Sequence, residues 1–197
     1  WALLLSRYSG ERDVVFGTTV SGRPPGITGV ETIVGLLINT LPVRVLVDDE
    51  LRVVEWLDQL QVQLAALRDY DYSPLSQIQR WSDIPPGTPL FQTIIVFENY
   101  PQHGLTTAER TLRIELPIIA EGSHYPLVLT ASAKGGLWLC LDSRCDWHAD
   151  LGAQLMRHLE HILMQIEAAA DCCLADIDLL GEAEREQLLE KWNAPAS

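Results

Sequence analysis

His158 and His161 stand one helical turn apart in the segment His158-Leu159-Glu160-His161. That spacing lets a helix offer two imidazoles to a metal ion. No third ligand accompanies them, and their neighbours Leu159 and Ile162 belong to an apolar stripe. The expectation is therefore two solvated imidazoles on a helix flank. Asp69-Tyr70-Asp71-Tyr72 carries two carboxylates of the kind that share acid–base work; a solvated helix terminus is the favoured alternative. Ser21-Gly22-Arg23-Pro24-Pro25-Gly26 suggests an anion loop. It lacks the Lys-Ser/Thr end of a phosphate-binding loop, so a strand-ending turn is expected. His103 and His124 fall in loop-like stretches, and His148 lies near a helix start. Cys140, Cys145, Cys172 and Cys173 match no zinc spacing and are expected to be reduced thiols. There is no Gly-x-Ser-x-Gly elbow. The chain offers no self-contained catalytic centre.

A different polar feature stands out. In Ile33-Val34-Gly35-Leu36-Leu37-Ile38-Asn39-Thr40-Leu41-Pro42-Val43-Arg44, an Asn-Thr pair interrupts an apolar run. A buried amide without a hydrogen bond costs about 1–3 kcal/mol. The pair is therefore a clamp between backbone segments or part of a site wall, and both readings stand.

The 197 residues include 14 basic and 27 acidic side chains, a net charge of −13. Such a surface repels nucleic-acid phosphates and acidic membranes, so neither is an expected partner. A hydrophobic fraction of 47% and a charged fraction of 21% suit a globular chain with a real core. No apolar run approaches the roughly 20 residues that span a bilayer. The chain opens on Trp1 without a signal-peptide pattern and is expected to be a cytoplasmic piece of a longer polypeptide.

The elements that must position these residues follow from periodicity. Trp1 to Tyr8 reads as a helix tail closed by Ser9-Gly10, Asp13 to Val20 as a strand, and Ser21 to Gly29 as a loop. A second strand is expected over Leu36 to Val47. Leu51, Val54, Leu57, Leu60, Leu64 and Leu67 mark one face of a helix. A short helix runs from Pro74 to Trp81, and Ile94 to Phe97 reads as a strand covered on both faces. Leu112 to Leu116 suggests a half-exposed strand. Alternation on either side of Gly135-Gly136 predicts a hairpin with a two-residue turn. Leu151, Leu155, Leu159, Ile162 and Ile166 mark a long helix, and a short one follows from Glu182 to Trp192. This order predicts an α/β fold: a two-layer sandwich, with an open mixed sheet and helices packed on one face.

Six stretches together resemble one family. They are Asp13 to Pro24, Val34 to Arg44 with its Gly-x-x-x-Asn-Thr core, and Asp71-Tyr72-Ser73-Pro74-Leu75. The others are Pro89-Leu90-Phe91 through Tyr100, Tyr125-Pro126-Leu127, and Leu179-Leu180 through Trp192-Asn193. In this order they are similar to the second half of nonribosomal peptide synthetase condensation domains. The resemblance implies a chloramphenicol-acetyltransferase-like lobe over 1–178, followed by a linker toward an adenylation domain over 179–197. It implies a tunnel shared with an N-terminal lobe, where carrier proteins bring donor and acceptor thioesters on phosphopantetheine arms for amide formation. The lobe itself would bind no cofactor. The expected partners are that N-terminal lobe, the upstream and downstream carrier-protein domains and the downstream adenylation domain. The family's His-His-x-x-x-Asp-Gly signature is absent here, so this lobe would supply tunnel wall and an inter-lobe crossover rather than the catalytic His. The crossover is expected between Gln102 and His124. Asn39, Thr40, Gly35, Ser21 and Arg23 are the implied tunnel residues, with Arg23 meeting either a phosphopantetheine phosphate or a nearby carboxylate. A non-catalytic scaffold that recruits carrier proteins or a tailoring enzyme is the alternative.

Overall fold

The structure is a computed structural model describing residues 1–23, 27–98, 123–133, 136–144, 149–168 and 171–191. Helix α1 (Ala2–Ser9) ends at Gly10, whose left-handed backbone (φ 74°) closes the last turn. Strand β1 (Asp13–Val20) pairs antiparallel with β2 (Asn39–Leu46) along its whole length. Helices α2 (Val53–Leu67) and α3 (Leu75–Trp81) then lead to β3 (Thr93–Glu98), which lies parallel to β1. Strand β4 (Leu127–Ser132) is parallel to β3, and β5 (Trp138–Ser143) returns antiparallel. Helix α4 (Ala149–Ala168) and the short α5 (Glu182–Glu186) complete the described chain. The sheet order is β2-β1-β3-β4-β5, an open mixed sheet as expected.

Alternation divides the sheet into two faces. On one face, Val14, Phe16, Val43, Val45 and Leu129 pack against Leu3 and Leu4 of α1, Val53 and Trp56 of α2, and Leu155, Leu159 and Ile162 of α4. This is the main core. On the other face Val15, Ile94, Val96 and Val128 form a smaller cluster with Phe91, Leu75 of α3 and Tyr125. Helix α3 is thus the exception to one-sided packing, and it sits where the site forms.

Several elements differ from expectation for identifiable reasons. Strand β2 begins at Asn39, not Leu36, because its partner β1 ends at Val20, directly opposite Asn39. Beyond that pair β1 runs into its loop, so residues 33–38 have no ladder, and Val34 and Leu36 are 99% and 90% exposed. Helix α2 buries Val53 and Trp56, while Leu57 and Leu64 face solvent. Trp56 fixes this rotation: its Nε1 donates to the Leu46 carbonyl at 3.0 Å. In β3 the outer half is open, with Phe97 exposed, so the strand is not covered along both faces. The β4–β5 pairing starts at Ser132 and Trp138, leaving residues 133–137 between the strands rather than a two-residue turn. The last helical stretch continues from α5 through a wider turn over Gln187–Lys191. The expected Leu112–Leu116 strand, the expected crossover up to residue 122, and His103, Cys145 and His148 lie outside the described residues.

Candidate functional site

The Asn39 side chain is spent on backbone. Its Nδ2 donates to the carbonyls of Asp71 at 3.0 Å and Ser73 at 2.7 Å, and its Oδ1 accepts from the Thr40 amide at 2.9 Å. Asp71 and Ser73 are buried, so few alternative donors reach those carbonyls. The amide therefore holds the turn that launches α3 against the start of β2. Of the two readings open from sequence, the clamp between backbone segments is the one this geometry displays. The Thr40 side chain lies beside a second element, at the Tyr125 hydroxyl. Burial pushes the Tyr125 phenol up, with Thr40 acting the other way.

Between these two elements lies a cavity of about 410 Å³. Leu75 and Gln79 of α3 form one wall, and Tyr125 and Pro126 form the facing one. Leu90 and Phe91 close it toward the sheet. Phe91 stacks on Tyr125 with ring centroids 5.5 Å apart. The ring also needs Gly17: a Cβ at that position would lie 2.4 Å from Phe91 Cε2. Five of the six stretches singled out in the sequence thus meet here: Gly17, Asn39-Thr40, Ser73 to Leu75, Leu90-Phe91 and Tyr125-Pro126. The sequence did not show that they gather around a cavity; their resemblance to the family's motifs was the available signal.

The other expected residues belong to a neighbouring excursion over 21–38. Gly22 adopts φ 62°, and a Cβ there would sit 1.8 Å from the Leu37 carbonyl oxygen. The two ends of the excursion therefore touch through a position only glycine fits. The Arg23 guanidinium donates to the carbonyls of Val30 at 2.6 Å and Ile33 at 3.2 Å. It braces the loop, where sequence reasoning set a phosphate against a carboxylate. The Ser21 hydroxyl accepts from the Arg23 amide at 3.3 Å. Gly35 lies in the exposed stretch, and no heavy atom outside its chain neighbours comes within 4 Å of where its Cβ would stand.

Asp71 does not share acid–base work with Asp69 in a solvated terminus; it is 8% exposed. Burial pushes its carboxyl up, with the Arg68 charge opposing. His158 is a second correction. It is 2% exposed rather than solvated, because it lies on the same inner stripe as Leu155 and Ile162. Its Nδ1 shares a hydrogen bond with the Tyr8 hydroxyl at 2.7 Å and its Nε2 one with Glu184 Oε2 at 2.8 Å. Both ring nitrogens are thus committed, so the metal-site alternative for His158 and His161 has no free Nε2 or Nδ1 to use at His158. Among the described residues no cluster of three or more His, Cys, Asp or Glu could hold a metal ion. Burial disfavours the Glu184 charge, but the His158 bond and charge, with Gln154 and Arg157, outweigh it and hold the carboxyl below its usual range. Among the described residues no helix is long and apolar enough to cross a membrane.

The condensation-domain family model matches residues 1–189, and the chain belongs to that family. It is 44% identical over 199 residues to a linear gramicidin synthase of Brevibacillus parabrevis, covering 100% of this chain and 4% of that protein. It is 40% identical over 197 residues to chondramide synthase of Chondromyces crocatus, covering 98% and 5%. Among solved structures it resembles the starter condensation domain of rhizomide synthetase, with a TM-score of 0.69 at 22% identity. That match covers 91% of this chain and 41% of the other. A four-domain nonribosomal peptide synthetase bound to AMP and glycine matches with a TM-score of 0.74 at 18% identity, over 93% of this chain and 15% of the other. These likenesses show the fold, the chloramphenicol-acetyltransferase-like architecture of condensation domains. The chain spans only a small fraction of the synthetases it matches.

Proposed function

We propose that this chain is the C-terminal lobe of a nonribosomal peptide synthetase condensation domain, spanning about residues 1–178, and that it forms one wall of the tunnel in which two carrier-bound substrates react. The acceptor amine attacks the donor thioester carbonyl; a C–N bond forms, the C–S bond breaks, and the amine proton leaves with the carrier thiol or a base. The base belongs to the companion N-terminal lobe, because His-His-x-x-x-Asp-Gly occurs nowhere in this chain. Phosphopantetheine arms come from the upstream and downstream carrier domains, and residues 179–197 lead toward an adenylation domain. Holding two reactants in line is worth roughly 7–11 kcal/mol of effective molarity. A wall without a base can supply part of that.

The observation that supports this most directly is that Gly17 and Asn39 support the surroundings of one cavity lined by Leu75, Phe91 and Tyr125: Gly17 makes room for the Phe91 ring, and Asn39 holds the turn that leads into Leu75. A family signature usually gathers around what the family handles. Ser21, Arg23 and Gly35 belong to the same wall as the braced and exposed parts of the 21–38 excursion. The test is reconstitution of the complete condensation domain with two loaded carrier proteins and mass detection of the amide. Product is expected, and its loss on replacing the companion lobe's catalytic His locates the base there. An intact domain that yields no amide with any loaded pair overturns the proposal in favour of a recruiting scaffold.

A further inference from the structure

We infer that the cavity between α3 and Tyr125 receives an uncharged, apolar amino-acid side chain of a thioester substrate, and that Leu90 sets its size limit. This rests on the tunnel-wall function proposed above.

The first ground is the lining. The chain carries a net charge of −13, yet no Asp, Glu, Lys or Arg is among the described residues that line this cavity. Its polar lining is neutral, from Gln79, Gln92, His124 and the Tyr125 hydroxyl. Gln79 Nε2 is already engaged, donating to the Thr88 carbonyl at 2.6 Å. The His124 ring lies against that of Tyr125, with centroids 4.1 Å apart. The larger surface offered to a guest is the apolar one of Leu75, Leu90, Phe91 and Pro126. A charged or strongly polar guest would leave its groups unpaired there.

The second ground is size and rigidity. About 410 Å³ lies within the range of small-molecule pockets. Both walls are held: Asn39 bonds the carbonyl of Ser73, two residues before Leu75, while Phe91 stacks on Tyr125. Walls held in this way keep their separation, and a fixed width is what allows size discrimination.

The third ground is continuity. Asn39 and Thr40 end the same excursion whose exposed stretch, 33–38, is the proposed tunnel surface.

Donor and acceptor share this chemistry, and one experiment separates them. The complete condensation domain is assayed as wild type, Leu90→Trp and Leu90→Ala, with thermal melts to confirm folding. Glycyl, leucyl and phenylalanyl carriers are varied first as acceptor with the donor fixed, then as donor with the acceptor fixed. Leu90→Trp is expected to lower the leucyl-to-glycyl ratio of kcat/KM by tenfold or more in one series and not the other. Leu90→Ala is expected to raise the phenylalanyl-to-leucyl ratio in that same series. The series that responds names the guest. Unchanged ratios in both series for a folded variant, or an equal loss for all three substrates, overturn the inference. If the wild type forms no amide with any pair, the tunnel-wall proposal falls and takes this one with it.

Discussion

Replacing Asn39 by alanine removes three hydrogen bonds: two donated to the carbonyls of Asp71 and Ser73 and one accepted from Thr40. Each such bond contributes about 0.5–1.5 kcal/mol net. The two carbonyls belong to buried residues, so water replaces Asn39 poorly. The loss should be about 2–4 kcal/mol, a large share of the 5–15 kcal/mol that typically holds a domain together. In urea, with a slope of about 1–3 kcal/mol/M, the unfolding midpoint of the condensation domain should fall by roughly 1–2 M. Asn39→Asp makes the prediction sharper. It keeps an oxygen for Thr40, loses both donated bonds, and sets a carboxylate against two carbonyl oxygens. At neutral pH it should therefore be less stable than Asn39→Ala. Its folded-state pKa is raised by that repulsion, so the penalty is present when the group is ionised and relieved as pH falls and it protonates. The two variants should converge on acidification. Equal stability at pH 7, or an alanine variant within about 0.5 kcal/mol of wild type, would refute the clamp.

Other outcomes follow from the same geometry. Gly22→Ala combines a left-handed backbone with a Cβ driven into the Leu37 carbonyl, and should cost more than the about 1–3 kcal/mol of backbone strain alone, read from the melting temperature. Arg44 closes the family's Asn-Thr motif, yet its side chain is 74% exposed and, among the described residues, its ion pair is with Asp13 across the strand pair at 2.6 Å. Arg44→Ala should leave the denaturation midpoint unshifted, because solvent screens such pairs. Glu184→Gln tests the pH linkage: the Glu184 carboxyl lies below its ordinary 4.5 in the folded chain, so its contribution is full above that value and lost as pH falls through the folded one. The difference in melting temperature between wild type and Glu184→Gln should be constant from pH 7 to about 5 and close below it.

Strands β1 and β4 and helix α4 were legible because each presents one regular stripe with a single solution. Helix α2 was legible in type and only partly in rotation: Leu51, Leu60 and Leu67 pack against the core, while Leu57 and Leu64 face solvent. Its sequence offers two overlapping apolar stripes, and the hydrogen bond from Trp56 to Leu46 chooses between them. The late start of β2 could not be seen, because an apolar stretch reads as strand until one knows that its partner has ended. His158 was misplaced for a related reason. A histidine on an inner stripe is acceptable only if other elements satisfy both nitrogens, and Tyr8 and Glu184 are 150 and 26 residues away in the chain. The Asn39-Thr40 pair was recognised as one needing partners, but which partners was a matter of tertiary structure. The cavity it shapes was beyond reach for the same reason.

The C-terminal fastenings bear on how such a protein can be recombined with its relatives. Gln165 brackets Asp178, donating from Nε2 to the Asp178 carbonyl at 2.7 Å and accepting its amide at 2.9 Å. Gln154 and His158 both reach Glu184. These pairs join α4 to a segment that a chimera-builder, reading sequence alone, would treat as free linker. A fusion junction between Ala168 and Asp178 would take one partner of each pair from one parent and the second from the other. A junction beyond Lys191 keeps all of them within a single parent, and is where an exchange of downstream domains should be cut.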